Sequence, residues 1–131
     1  MSVIDDMIAH LTTNTIIEGS TGWNGVEDHM PDTPDKIVAI TPTGGAQPEL
    51  SATVRYPTFQ VRVRGVKTSA GYTAMKAKME EVYQSLLAIA NETVNSVVYA
   101  YVIPTSDVLS MGRDKNNRPE ISRNFRSAIN N

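Results

Sequence analysis

The stretch "PTFQVRVRG", residues 57–65, restricts the fold more than any other part of the chain. Phe59, Val61 and Val63 alternate with Gln60, Arg62 and Arg64. A period of two gives one apolar face and one cationic face only if the backbone is extended. The segment is therefore read as a strand, within "SATVRYPTFQVRVRG", whose apolar face needs a covering layer. Pro57 removes one ladder donor, which predicts an edge position or a bulge there.

The covering layer is supplied by "TSAGYTAMKAKMEEVYQSLLAIANE", where Tyr72, Met75, Met79, Val82, Leu86 and Ile89 recur at three-four spacing. Lys76, Glu80, Glu81 and Gln84 fall off that stripe, so the segment reads as an amphipathic helix capped by Thr68 or Ser69. A shorter helix is expected at the N-terminus, with Val3, Ile4, Met7, Ile8 and Leu11 on one side and Ser2 as its cap. Lys36 to Thr41 reads as a strand stopped by Pro42, residues 96–104 as a strand ended by Pro104, and "ISRNFRSAI" as a closing strand. The expected order is helix, loop, strand, strand, helix, strand, strand. It predicts an α+β fold: a mostly antiparallel four-stranded sheet packed against one long helix, plus the short N-terminal helix. Phe59, Val61, Val63, Tyr72, Met75, Met79, Val82, Leu86 and Phe125 are the expected core anchors.

At 131 residues the chain fits one domain spanning 1–131. Two segments interrupt it: a long acidic Gly/Pro loop at 18–35 and a charged loop at 109–122. Trp23 in the first loop reads either as a buried plug or as a partner anchor. With no cysteine there is neither a disulfide framework nor a thiolate metal site. No apolar run is long enough to span a bilayer, so no membrane partner is expected. Asp5 and Asp6 stand where a signal peptide carries basic residues, which reads as a protein made in the cytosol. The net charge of −2 is unevenly spread: residues 1–50 sum to −7, with Lys36 the one base among them, and the remainder to +5. Such a split suits self-association or steering of partners, and equally suits solvated loops of unlike composition.

Residue patterns for catalysis are missing. His10 and His29 stand in no ligand motif, and His10 is expected at a helix end. Glu27, Asp28, Asp32 and Asp35 lack the spacing of a calcium loop. The Gly44-Gly45 pair belongs to no phosphate-binding motif, and no serine stands in a nucleophile elbow. The chain is read as a non-enzyme with no cofactor and no metal. The basic residues carry the remaining signal. Arg62 and Arg64 share a strand face, Arg55 lies beyond Pro57, and Arg123 and Arg126 fall on opposite faces of the last strand. These arginines are readable as phosphate contacts, as ion pairs to a neighbouring subunit, or as a solvated sheet face.

The succession of Pro57, Gln60, Val61, Val63, Arg64 and Gly65, then the helix, then Gly112, Arg113, Asp114, Arg118, Glu120, Ser122, Asn124 and Phe125 resembles the tail terminator and minor capsid proteins of long-tailed bacteriophages. The likeness covers about residues 36–130. It implies a structural protein of the virion tail, assembled in the host cytoplasm. Such proteins form a ring, usually a hexamer, on the head-proximal end of the tail tube. The ring ends tube polymerisation and joins the tail to the head connector or stopper protein, and DNA passes through its lumen. On that reading Arg113, Asp114, Lys115, Arg118, Glu120 and Arg123 are the expected subunit or partner interface. Arg55, Arg62, Arg64 and Arg126 are lumen- or DNA-facing candidates, touching the genome at most weakly. The alternative from another class is a small α+β nucleic-acid-binding module using an arginine-bearing sheet face. Few aromatics and an acidic pI of about 5.6 weigh against it.

Overall fold

The computed structural model of the protein describes residues 3–45 and 54–130. Ser2 lies outside these, as do residues 51–53 at the start of the strand read from "SATVRYPTFQVRVRG". Helix α1 (Val3–Thr13) carries Ile4, Met7 and Leu11 on its buried side, with Asp5 and Asp6 in its first turn. A 3-10 turn (Gly19–Thr21) leads to β1 (Asn24–Glu27), and β2 (Ile37–Gly45) follows. Then come β3 (Val54–Arg55), β4 (Pro57–Arg64), helix α2 (Ser69–Leu87), β5 (Ala90–Val94), β6 (Val97–Pro104), β7 (Leu109–Arg113) and β8 (Pro119–Asn130).

All eight strands belong to one sheet in the order β1-β2-β4-β8-β6-β5, with β3 and β7 also paired to β8. β1 runs parallel to β2, and the other pairs are antiparallel. The fold is thus mostly β, a single mixed eight-stranded sheet with two helices. It is not the expected four-stranded antiparallel sheet against one long helix. The four additional strands are short, and each sits where composition conceals it. β1 lies inside the Gly-rich loop, β3 is two residues before a proline, β5 follows directly after the last residue of the α2 stripe, and β7 lies in the charged loop.

β8 is the spine of the sheet. Phe59, Val63 and Thr58 of β4 stand opposite Phe125, Ile121 and Arg126, and β3 continues the same register with Arg55 opposite Ile129. On its other side β6 pairs with residues 125–130 and β7 with 119–122. Pro57 is neither on an edge strand nor bulged against β8. Its position opposite Ser127 is bridged by the Ser127 hydroxyl, which donates to the Pro57 carbonyl at 3.0 Å. The irregularity falls instead on β2, between Pro42 and Gly44.

One face of the sheet carries the core. The Phe59 and Phe125 rings stack there at 5.6 Å, joined by Val61, Val63, Tyr99 and Ile129 and by the buried sides of both helices. Of the expected core anchors, Phe59, Val61, Val63, Met75, Met79, Val82, Leu86 and Phe125 are buried there. Tyr72 is not a core anchor: it is 40 % exposed, with Lys76 Nζ 5.6 Å from its ring centroid. The cause is a close crossing one residue earlier, where a Cβ on Gly71 would lie 2.2 Å from the Val66 carbonyl oxygen. That contact brings the start of α2 against the chain after β4 and turns the next side chain outward. α2 begins at its cap, Thr68, whose hydroxyl accepts from Gly71 N–H at 3.0 Å. It stops at Leu87, so Ile89 is buried but no longer helical. Trp23 is a buried plug, 5 % exposed, with Lys36 and Lys78 ammonium groups 5.4 and 5.7 Å from its ring.

Candidate functional site

The parallel pairing of β1 with β2 requires a crossover, and residues 28–36 provide it. This acidic segment passes over the end of the sheet face opposite the helices. Two arginines hold it. Arg64, the last residue of β4, is 2 % exposed and donates from Nε to the Asp35 carbonyl at 3.0 Å and from Nη2 to the Pro34 carbonyl at 2.5 Å. Arg118 is 4 % exposed. It donates from Nη1 to Asp35 Oδ1 at 3.1 Å, from Nη2 to Asp32 Oδ1 at 3.1 Å, and from Nε to Asp114 Oδ2 at 2.9 Å.

Asp114 organises the turn between β7 and β8. Its Oδ1 accepts from Asn116 N–H at 3.0 Å and Arg118 N–H at 2.9 Å, while Asn117 takes φ 62°. Burial pushes the Asp114 carboxyl up, but the Arg118 backbone and guanidinium donors and the Asn116 N–H outweigh it and hold the carboxyl below its usual range. Burial likewise lowers Arg64, with Arg118 adding repulsion, so its ionised form depends on the carbonyls and carboxylates around it. For Arg118, burial acts downward, yet hydrogen bonds to Asp35 and Asp114 leave it above the ordinary guanidinium value.

The residues singled out from the sequence therefore separate. Asp114 and Arg118, expected at an interface, are engaged within the chain, as is Arg64 from the lumen group. Glu120 stands opposite Arg64 in the sheet. Arg113 is exposed and donates to the Asn117 carbonyl at 2.7 Å, and Lys115 is exposed beside it. Arg123 lies on the helix side of the sheet, opposite Val61, its guanidinium 4.1 Å from the Tyr83 ring centroid and its Nε donating to the Ser106 carbonyl at 3.1 Å. Arg62 and Arg126 do share the opposite face, opposite Ser122 and Thr58. Arg55 does not join them: its register with Ile129 sets it on the helix side. The Nε atoms of Arg62 and Arg126 are buried without a hydrogen-bond acceptor, the two such side-chain atoms among the described residues.

The acidic residues of the loop do not gather around a cation position. Asp32 and Asp35 face Arg118, and Glu27 shares a hydrogen bond with Asp5 that raises its carboxyl, helped by burial and by the like charge. No group of three or more His, Cys, Asp or Glu able to hold a metal occurs among the described residues. His10 is buried at the end of α1, its Nε2 3.0 Å from the Ser85 carbonyl and its Nδ1 3.4 Å from Glu92, so it ties α1 to the last turn of α2 and to β5. His29 is exposed.

Two features were not foreseen from the sequence. The acidic loop acts as a ligand for Arg64 and Arg118. The charged loop contains β7, every residue of which is exposed, including Leu109 and Met111. The signal for β7 was present as the run Val108, Leu109, Met111, masked by the charges that follow it.

The chain matches the family model described as bacteriophage tail terminator protein over residues 10–131. No curated protein sequence matches it. Among solved structures, one chain of the virion of a native gene transfer agent particle is similar over 99 % of this chain and 96 % of its own, at TM-score 0.67 and 13 % identity. That identity speaks to a shared fold. The match over residues 10–131 takes in every strand and both arginines of the buried network, and the protein belongs to the bacteriophage tail terminator family.

Proposed function

We propose that this phage tail structural protein forms a ring, a homohexamer, at the head-proximal end of the tail tube. There it ends tube polymerisation and presents its other surface to the head connector or stopper protein. The observation that carries this reading is the family match from residue 10 to residue 131. The likeness of its fold to a chain of a gene transfer agent virion adds support. In the ring, Arg113 and Lys115 are the exposed charged residues of the hairpin and lie toward a neighbour. Arg62 and Arg126 are the remaining DNA-facing candidates, on the sheet face opposite the helices, and their charge gives at most weak contact to passing phosphates.

The test is tube growth. Purified protein is added to polymerising tail tube protein, and tube lengths and ends are measured by electron microscopy. Capped tubes of reduced length, with a sixfold ring at one end, are the expected result. Unchanged length distributions at saturating protein would refute it. The sheet face shared by Arg62 and Arg126 also favours a second reading, a nucleic-acid-binding module. On that reading labelled DNA shifts at micromolar protein with a steep salt dependence. The sheet face offers it little aromatic surface for stacking, since the exposed Tyr56 already lies under Arg126, 5.7 Å from its ring centroid.

A further inference from the structure

Val108, Leu109 and Met111 are 41, 63 and 45 % exposed, and they make up half of the exposed large apolar side chains among the described residues. Isolated exposed apolar residues are ordinary, but three within four positions at the start of an edge strand are a sticky surface. β7 pairs with β8 alone, leaving its outer backbone edge without a strand among the described residues. The two edges at the ends of the sheet are blunted, and β3 is only two residues long. On β1 the Gly25 N–H is already taken by Glu18 Oε1 at 2.7 Å, and β5 is kinked at Asn91, φ 51°. Exposed cations, Arg113 and Lys115, follow the apolar run.

A surface of matching character exists elsewhere on the same chain. Between the end of α1 and the middle of α2, a shallow apolar depression is lined by Ile16, Gln84 and Ser85 and rimmed by Glu80 and Glu81. Leu87, 40 % exposed, lies one turn further on α2. The two surfaces cannot meet within one molecule. Leu109 stands opposite Ser122, on the sheet face of Arg62, whereas the depression is on the helix side.

We propose that β7 of one copy seats in the α1–α2 depression of the next copy, with Leu109 and Met111 on the apolar floor and Arg113 and Lys115 against Glu80 and Glu81. The occupant is a second copy because the knob is apolar and flanked by cations while the hole is apolar and rimmed by carboxylates. Different surfaces meet, so the contact is heterologous and closes when the rotation per subunit divides a circle. This rests on the ring reading above and supplies its contact surfaces. It also replaces the charged turn as the centre of the interface: Asp114 and Arg118 shape the hairpin from within, and the apolar strand makes the contact.

The chain has no cysteine, so a disulfide trap is clean. Leu109→Cys and Gln84→Cys are introduced singly and together, and the proteins are oxidised in the presence of polymerised tube and resolved without reductant. Unchanged melting temperatures establish that the variants fold. The double variant is expected to give a ladder of trimers and larger species, with each single variant stopping at dimer. Adding Glu80→Lys and Glu81→Lys to the double variant reduces the ladder on the order of tenfold, and further reversal of Arg113 and Lys115 to Glu restores it. A double variant that stops at dimer, as the singles do, overturns the proposal. Wild-type capping of tubes decides the ring reading separately, so failure of the trap with normal capping removes only this contact.

Discussion

Arg118→Ala should release the acidic crossover while leaving the sheet in place. The guanidinium bonds three carboxylates that do not weigh equally. Asp32 and Asp35 side chains are 61 and 54 % exposed, so they regain water when the arginine is removed. Each such pair contributes about 0.5 kcal/mol. Asp114, 15 % exposed, is enclosed, and its charge-assisted bond at 2.9 Å contributes about 1.5 kcal/mol. Loss of the buried arginine stem adds roughly 1 kcal/mol. The backbone donors to Asp114 survive the substitution and prevent the larger penalty of a stranded charge. The total is about 3.5 kcal/mol, or about 12 °C in Tm for a domain of this size. Denaturant unfolding measures the loss, and hydrogen exchange locates it: amides of residues 28–36 should lose protection while those of β4 and β8 keep theirs. Arg118→Lys retains a charge but not the fork and should recover less than half. A loss under about 1 kcal/mol, with protection of 28–36 unchanged, would refute the argument that this arginine holds the crossover.

The carboxyls predict two opposite pH effects. Asp114 is held below its ordinary value of 3.8, so its contribution is complete above that value and is lost as pH falls through the depressed folded one; Asp114→Asn should flatten this acid limb in denaturant titrations. Glu27 is raised above 4.5, so its ionisation costs stability as pH rises from there through its folded value, and Glu27→Gln should be stabilising at neutral pH. Gly71→Ala gains helix propensity but places a Cβ 2.2 Å from a backbone oxygen, and a net loss of about 2 kcal/mol in thermal or denaturant unfolding is expected.

What the sequence displayed was what depends on periodicity. The alternation at Phe59, Val61 and Val63 and the stripes of α1 and α2 are long enough to fix their own state, and most of their residues lie buried, with Val3 and Ile8 half-buried and Tyr72 turned outward. The short strands depend on partners. β5 and β6 are joined at Asn95 and Ser96, both with positive φ, 49 and 67°. A two-residue turn of this kind usually announces itself as Asn-Gly, and here it does not. β1 is four residues that become a strand only because β2 stands beside them. The charge split was plain, but its use was not. Composition cannot tell an acidic loop facing a neighbour from one folded onto Arg64 and Arg118, because that depends on a parallel crossover between elements thirteen residues apart in register.

The position of β8 has a consequence for synthesis. It is the last of the eight strands in chain order, yet four others depend on it for their pairing. A nascent chain that has emerged only through β7 holds two sets of strands with nothing between them. Non-local pairing of this kind is slow, and β3, β7 and the joining of the two sets must wait for it. A prematurely terminated product would lack the strip that joins the two halves, and would go to proteolysis instead of competing with finished subunits.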